Sequence, residues 1–291
     1  MLVPRKKSFS DHRLNSSIGI TGGTGFIGSH VRKEFDYRGI PLTILGRQSA
    51  QNMTLRTHEQ YMECDIREPN ILTKESVPQT LIHLAWTGLV DFTSESHLAE
   101  ELHVQSNFLK SVVQLGVQNL LVSGTCFEYG LVEGEIGEDC ATRPVVPYAI
   151  AKNELREMLI RLQVNYEYNL MWARLFYVYG DGQRSSTLYS GIMKAIASGA
   201  ASLEVSSKNL VRDFISVENV AKYLTDLALL NSNCGQVNVC SGTGTSVGEF
   251  VDQIAAREGV QLSVVEGNRP LPNFEPESFW GNSSLLRKLI D

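Results

Sequence analysis

Along the first two-thirds of the chain, short apolar runs alternate with longer stretches whose apolar residues recur at helical spacing. The runs cover 18–21, 42–45, 81–85, 120–123 and 170–175, and the helical stretches cover 26–37, 100–115 and 148–162. Gly39 and Gly116 stand just past two of the helical stretches, where a left-handed residue closes a helix. This is the strand-helix-strand rhythm of an α/β fold: a Rossmann-type, doubly wound parallel sheet with helices on both faces. After Gly180 the rhythm loosens. Residues 181–209 read as a loop followed by a helix rich in small residues, and a helix at 217–229 and a strand at 236–239 return to the first domain. The expected division is an N-terminal arm (1–16), a dinucleotide-binding domain (17–175 and about 212–240) and a smaller α/β substrate-binding domain (about 176–211 and 241–291).

The composition narrows the partners. With 291 residues, 43% hydrophobic and 20% charged, and a net charge of -6, the chain is expected to fold as an ordinary enzyme that attracts neither nucleic acid nor anionic membrane, so its partners are small molecules. The five cysteines (64, 126, 140, 234 and 240) are odd in number and lack paired metal spacing. They read as mostly buried thiols in a reducing, cytoplasmic compartment, with no metal site. Arg5-Lys6-Lys7 has no apolar segment behind it, and no window approaches about 18 uninterrupted apolar residues, so neither a signal peptide nor a membrane span is expected.

The first candidate chemistry lies where the first strand meets the first helix, in Thr21-Gly22-Gly23-Thr24-Gly25-Phe26-Ile27-Gly28. Gly22 permits the tight turn, Gly25 lets backbone approach a pyrophosphate, and Gly28 lets helix and strand pack closely, with the phosphates on the helix N-terminus. Which dinucleotide binds is decided at the end of the second strand. An acidic residue there would hold the adenosine 2′-hydroxyl; here the strand ends in Gly46-Arg47, whose guanidinium suits a 2′-phosphate. NADP(H) is therefore expected, with NAD(H) the alternative.

The pattern of landmarks resembles the extended short-chain dehydrogenase/reductase family of nucleotide-sugar epimerases, dehydratases and reductases, from Thr21 to about Asn282. Besides the glycine turn they are Cys64-Asp65-Ile66, His83-Leu84-Ala85, Ser123-Gly124-Thr125 with Tyr129-Gly130, Tyr148-Ala149-Ile150-Ala151-Lys152, Arg174 with Tyr179-Gly180, and Arg212-Asp213-Phe214. Tyr148 and Lys152 lie four apart on one helix face, and an ammonium near a phenol stabilises the phenolate. The resemblance implies Tyr148 as the acid/base, Lys152 as the holder of the nicotinamide ribose, and Thr125, or Ser123 if the loop is shifted, as the hydroxyl on the reacting oxygen. It also implies Asp65 and Ile66 beside the adenine, Leu84, Ala85 and Trp86 along the cofactor, Arg212 and Arg269 on a substrate diphosphate, and a homodimer. Tyr177 stands where such proteins often have a substrate-touching asparagine, so the sugar contacts there do not transfer.

Among that family's reactions, the sugar dehydratases carry an acidic pair after the catalytic threonine, whereas this chain has Cys126-Phe127. Epimerases acting beside a ketone through a cysteine place it where Phe127 stands. Reduction of the C4 ketone of a dTDP- or CDP-linked 4-keto-6-deoxyhexose is expected. A nucleotide-sugar 4-epimerase with retained NAD is the alternative, and a non-catalytic NADP-binding regulator is the rival of another class. Arg47 tilts the choice to reduction.

Overall fold

The computed structural model describes residues 17–49, 51, 53–68, 72–267 and 273–291. The arm and Arg269 lie outside them. The chain opens with β1 (Ile18–Thr21), α1 (Phe26–Tyr37), β2 (Leu42–Gly46), β3 (Glu59–Glu63) and β4 (Thr80–His83). It continues through α2 (Leu102–Leu115), β5 (Asn119–Thr125), β6 (Gly134–Ile136), α3 (Pro147–Leu162) and β7 (Asn169–Leu175). Then come β8 (Tyr177–Tyr179), α4 (Leu188–Ala197), β9 (Ser202–Val205), β10 (Val211–Arg212), β11 (Phe214–Ser216) and α5 (Val217–Leu229). The last elements are β12 (Gly235–Val239), β13 (Thr245–Ser246), α6 (Val247–Arg257), β14 (Ser263–Glu266), β15 (Phe279–Gly281) and α7 (Ser284–Ile290).

The doubly wound parallel sheet is present. Its seven strands run in the order β12-β7-β5-β4-β1-β2-β3, all parallel. The apolar runs are continuous because neighbouring side chains feed two cores. Ile82, Leu121 and Met171 pack on one face with Phe35 of α1, Leu224 of α5 and Leu286 of α7. Leu81, Leu120 and Trp172 pack on the other with Phe108 of α2 and Leu155 of α3. Strand order reverses between β1 and β4, and at such a switch the carboxyl ends of the strands open a crevice.

Several boundaries differ from the sequence expectation. β3 reads Glu-Gln-Tyr-Met-Glu and lies at the sheet edge, where a strand needs no apolar run. The run 81–85 is strand only to His83; Leu84 and Ala85 turn into the crevice. α2 starts at Leu102, after a π-helical turn at His97–Glu101. α6 repeats Val247, Phe250, Val251, Ile254 and Ala255 on a buried face, and with α4 it forms a separate core around Tyr189, Ile192 and Leu262. Cys64, Cys126 and Cys240 are buried, while Cys140 and Cys234 are half-buried. Among the described residues no helix is long and apolar enough to cross a membrane.

Candidate active site

One cleft of about 860 Å³ runs along the carboxyl ends of β1, β2, β4, β5 and β7. At its floor the glycine turn leaves β1 for α1. Gly22 has φ +72, and a Cβ there would stand 2.7 Å from the Ala85 nitrogen, so only glycine fits. The first α-helical bond runs from Ser29 N–H to the Gly25 carbonyl, and the Gly25 N-cap has no side-chain cap. The N–H groups of Phe26, Ile27 and Gly28 therefore face an anion site, with Thr24 beside them in the wall. These residues fit a dinucleotide pyrophosphate.

At the adenosine end Arg47 lines the cleft, as expected, and Arg67 joins it. Ile66 is in the wall. Asp65 follows β3, and one of its carboxylate oxygens accepts the Arg67 backbone N–H at 3.0 Å.

The middle of the cleft brings together Thr125, Tyr148 and Lys152, with Ser123 and Trp86 beside them. Lys152 is 1% exposed; its Nζ donates to the Ser123 carbonyl at 2.8 Å and sits 4.0 Å from the Trp86 ring centroid. Burial pulls this ammonium down to about 7, against the carboxylates of Glu128 and Glu101, which favour the charge. The Tyr148 ring lies against Phe92 (5.1 Å between centroids), His97 (5.3 Å) and Trp86 (5.8 Å). Burial raises its phenol above the ordinary tyrosine value, the charges of Glu128 and Cys126 add to that, and the Thr125 hydroxyl pulls it back.

Two buried networks hold these groups in place. The Gln105 amide N–H₂ donates to the Ala85 carbonyl and to Glu101, so its oxygen accepts from His83 Nε2, and His83 Nδ1 accepts from the Thr21 hydroxyl. His83 is held neutral, near 3, by burial and by Lys152. This network fixes the turn that carries Trp86. Trp86 Nε1, a donor only, donates to His97 Nδ1 at 3.1 Å, and His97 Nε2 then donates to the Asp91 carbonyl. The second network centres on Glu128, fully buried, which accepts from Thr125 N–H (2.9 Å), Trp172 Nε1 (2.9 Å) and Arg174 Nε (2.8 Å). Glu128 also completes a capping box with the Thr125 hydroxyl, locking the turn that aims the threonine.

Arg212 is held inside the protein. It is 3% exposed and absent from the cleft wall; its Nε and Nη2 bond Glu275 at 3.2 and 3.0 Å, and its Nη1 bonds the carbonyls of Val211 and Glu277. Four of the five guanidinium N–H donors are thus engaged inside the protein, which leaves one on Nη2. Tyr177 does reach the wall, together with Glu275, and its hydroxyl donates to the same carboxylate oxygen at 2.6 Å. On the side of the cleft formed by α4, the cationic side chain is Arg184, which the sequence reading passes over.

The profile of the NAD dependent epimerase/dehydratase family matches residues 18–240. The chain belongs to that family. It is an NAD(P)-dependent oxidoreductase, and its relatives are nucleotide-sugar-modifying enzymes. It is 27% identical over 270 residues to dTDP-6-deoxy-L-talose 4-dehydrogenase (NAD(+)) of Aggregatibacter actinomycetemcomitans, covering 91% of this chain and 99% of the relative. It is 26% identical over 298 residues to GDP-6-deoxy-D-mannose reductase of Pseudomonas aeruginosa, covering 94% and 90%. Its fold superposes on a variant of UDP-glucuronic acid 4-epimerase from Bacillus cereus, solved with NAD, at a TM-score of 0.79, with 19% identity over 94% of this chain and 92% of the other.

Proposed function

We propose that this family member is a reductase that uses NADPH to convert the C4 ketone of a dTDP- or CDP-linked 4-keto-6-deoxyhexose to the alcohol. The observation that carries the reading is the convergence of Thr125, Tyr148 and Lys152 midway along a cleft whose adenosine end holds two guanidiniums. A bound nicotinamide supplies the hydride. The chain's residues do the rest. The phenol of Tyr148, held in its acid form by burial, gives its proton to the C4 oxygen, while the Thr125 hydroxyl orients that oxygen. Lys152, once charged, offsets the phenolate left behind. With Arg212 held against Glu275, Arg184 in the cleft wall takes the substrate diphosphate, which gives remote binding energy that positions the ketone.

The deciding experiment follows the absorbance of the reduced nicotinamide with dTDP- and CDP-linked 4-keto-6-deoxyglucose. Stoichiometric loss with NADPH supports the reading. No loss, together with tightly held NAD and interconversion of 4-hydroxyl epimers, would make the protein a 4-epimerase; binding of NADPH with no turnover of either kind would make it a regulator. A second homologous feature agrees in kind: a 4-dehydrogenase run in reverse is a 4-ketoreductase, and the talose relative is named for the former.

That relative is named for NAD(+), so cofactor choice in this chain rests on its own residues. Arg47→Ala is expected to weaken NADPH binding roughly ten- to hundredfold and to leave NADH binding within about twofold, because a charge-assisted pair to the 2′-phosphate is lost. Fluorescence titration of the two reduced cofactors reads this. An equal loss for both would assign Arg47 to the surface.

Lys152 carries a proton linkage. An ordinary lysine ionises near 10.4, whereas burial brings Lys152 down to about 7. Between those values the unfolded chain holds the proton and the folded chain does not, so this group adds stability as pH rises from about 7. Ribose hydroxyls and phosphates favour the charged form, so cofactor binding takes up a proton above about pH 7 and its affinity falls as pH rises further. Calorimetric titration in buffers of different ionisation enthalpy should show uptake at about pH 8 and little at about pH 6. Equal uptake at both would overturn it.

A further inference from the structure

The sealed Arg212 has a partner whose other half faces the cleft. Glu275 Oε2 is held by three donors, the Tyr177 hydroxyl at 2.6 Å and Arg212 Nη2 and Nε at 3.0 and 3.2 Å. Among the described residues no donor reaches Oε1, and Glu275 is a wall residue of the cleft with 18% side-chain exposure. The carboxylate cannot easily turn. Arg212 is itself anchored to two backbone carbonyls, and its guanidinium lies 5.5 Å from the ring centroids of Tyr177 and Phe279.

Its place along the cleft decides what it can meet. The Tyr177 ring packs edge-on to Phe127 at 6.0 Å, and the Phe127 N–H donates to the Thr125 hydroxyl. Glu275 is also near enough for its charge to act on Cys126, the residue after Thr125. The carboxylate therefore stands across Tyr177 and Phe127 from Thr125, in the same cleft wall. Its negative charge repels a diphosphate, while its unshared oxygen accepts strongly from a hydroxyl. Of the parts of a nucleotide sugar, only the hexose ring presents a row of hydroxyl donors near the reacting carbon.

We propose that Glu275, clamped by Arg212 and Tyr177, reads the hexose: its Oε1 accepts a hydrogen bond from a secondary ring hydroxyl close to the reacting carbon, making it a sugar-specificity residue. This rests on the nucleotide-sugar reading above. A carboxamide at this position would turn its carbonyl toward Arg212 and Tyr177 and present N–H₂ to the cleft, so Glu275→Gln reverses the polarity offered to the sugar with little change of shape.

The test is calorimetric binding, in the presence of NADP, of dTDP and CDP alone and of their 6-deoxyhexose conjugates. The wild type should bind a conjugate at least tenfold more tightly than the bare diphosphate. Glu275→Gln should bind the bare diphosphates as the wild type does and lose about ten- to hundredfold for the conjugates. Tyr177→Phe, which keeps the ion pair but frees the carboxylate to turn, should lose about two- to tenfold for the conjugates only, and it serves if the first variant fails to fold. An undiminished sugar increment in both variants overturns the role of Glu275 while the functional reading stands. A wild type that binds neither the diphosphates nor their conjugates removes that reading, and this inference with it.

Discussion

Tyr148→Phe is expected to lower turnover roughly 10²- to 10⁴-fold while cofactor affinity stays within about twofold, the range for loss of a positioned acid. The substitution removes one oxygen and leaves the packing. The Tyr148 ring is held by Phe92, His97 and Trp86, and its backbone N–H donates to the Phe92 carbonyl at 3.1 Å, so phenylalanine sits in the same place. The hydroxyl is what faces Thr125, and His83, held neutral beneath the strand ends, has no acidic proton to give in its place. Steady-state kinetics with dTDP-4-keto-6-deoxyglucose, beside a cofactor titration, reads both halves of the expectation. Full turnover in the variant would assign the proton to another group and sink the mechanism.

The largest effect on stability is expected at a residue that touches neither cofactor nor sugar. Glu128 is 0% exposed and Arg174 1%, and their 2.8 Å pair lies in the protein interior behind Thr125. Arg156 Nε approaches the same carboxylate at 4.0 Å and has no hydrogen-bond partner of its own among the described residues. Glu128→Ala leaves one guanidinium buried without its counter-charge and another less compensated. Breaking a buried pair in this way costs about 3–5 kcal/mol. The backbone N–H of Thr125 and the indole of Trp172 lose their acceptor at the same time. Urea denaturation should therefore show a large drop in midpoint. A loss below about 1 kcal/mol would mean that water or a shifted side chain satisfies Arg174, and that the network is not what holds the threonine.

How far the sequence could be read depends on which contacts are local. The central strands were legible because each is buried on both faces, so neighbours such as Leu120 and Leu121 must both be apolar. The edge strand β3, buried on less of its surface, left no such trace in Glu59–Glu63. α6 is different: its residues Val247, Phe250, Val251 and Ile254 follow helical spacing after a Ser246 capping box with Glu249, and both signals stand in the sequence unread. At the site, Tyr148 and Lys152 are four residues apart on one helix, and the glycine turn is eight consecutive residues, so spacing alone brings their parts together. Glu128 was within reach, since Thr125 and a glutamate three residues on form a capping box. Arg212 was not. Its partner Glu275 lies 63 residues away, and nothing in the local sequence tells a guanidinium aimed at a ligand from one sealed against a distant carboxylate.

The pairing of β6 with β15 sets an order on synthesis. Gly134 lies against Phe279 in register, 145 positions later in the chain, and α7 follows to close the core around Leu286. At about 5–20 residues per second, the strand that will carry the Glu275 wall leaves the ribosome roughly seven to thirty seconds after its partner. Once Lys152 is made, for most of that interval, the nascent protein has its pyrophosphate turn, Thr125, Tyr148 and Lys152, but neither the carboxylate of Glu275 nor α7. The cofactor half is thus made early and the sugar-facing wall late, and the window between them is when an unpaired strand and an open apolar face are exposed to chaperones and to neighbouring chains.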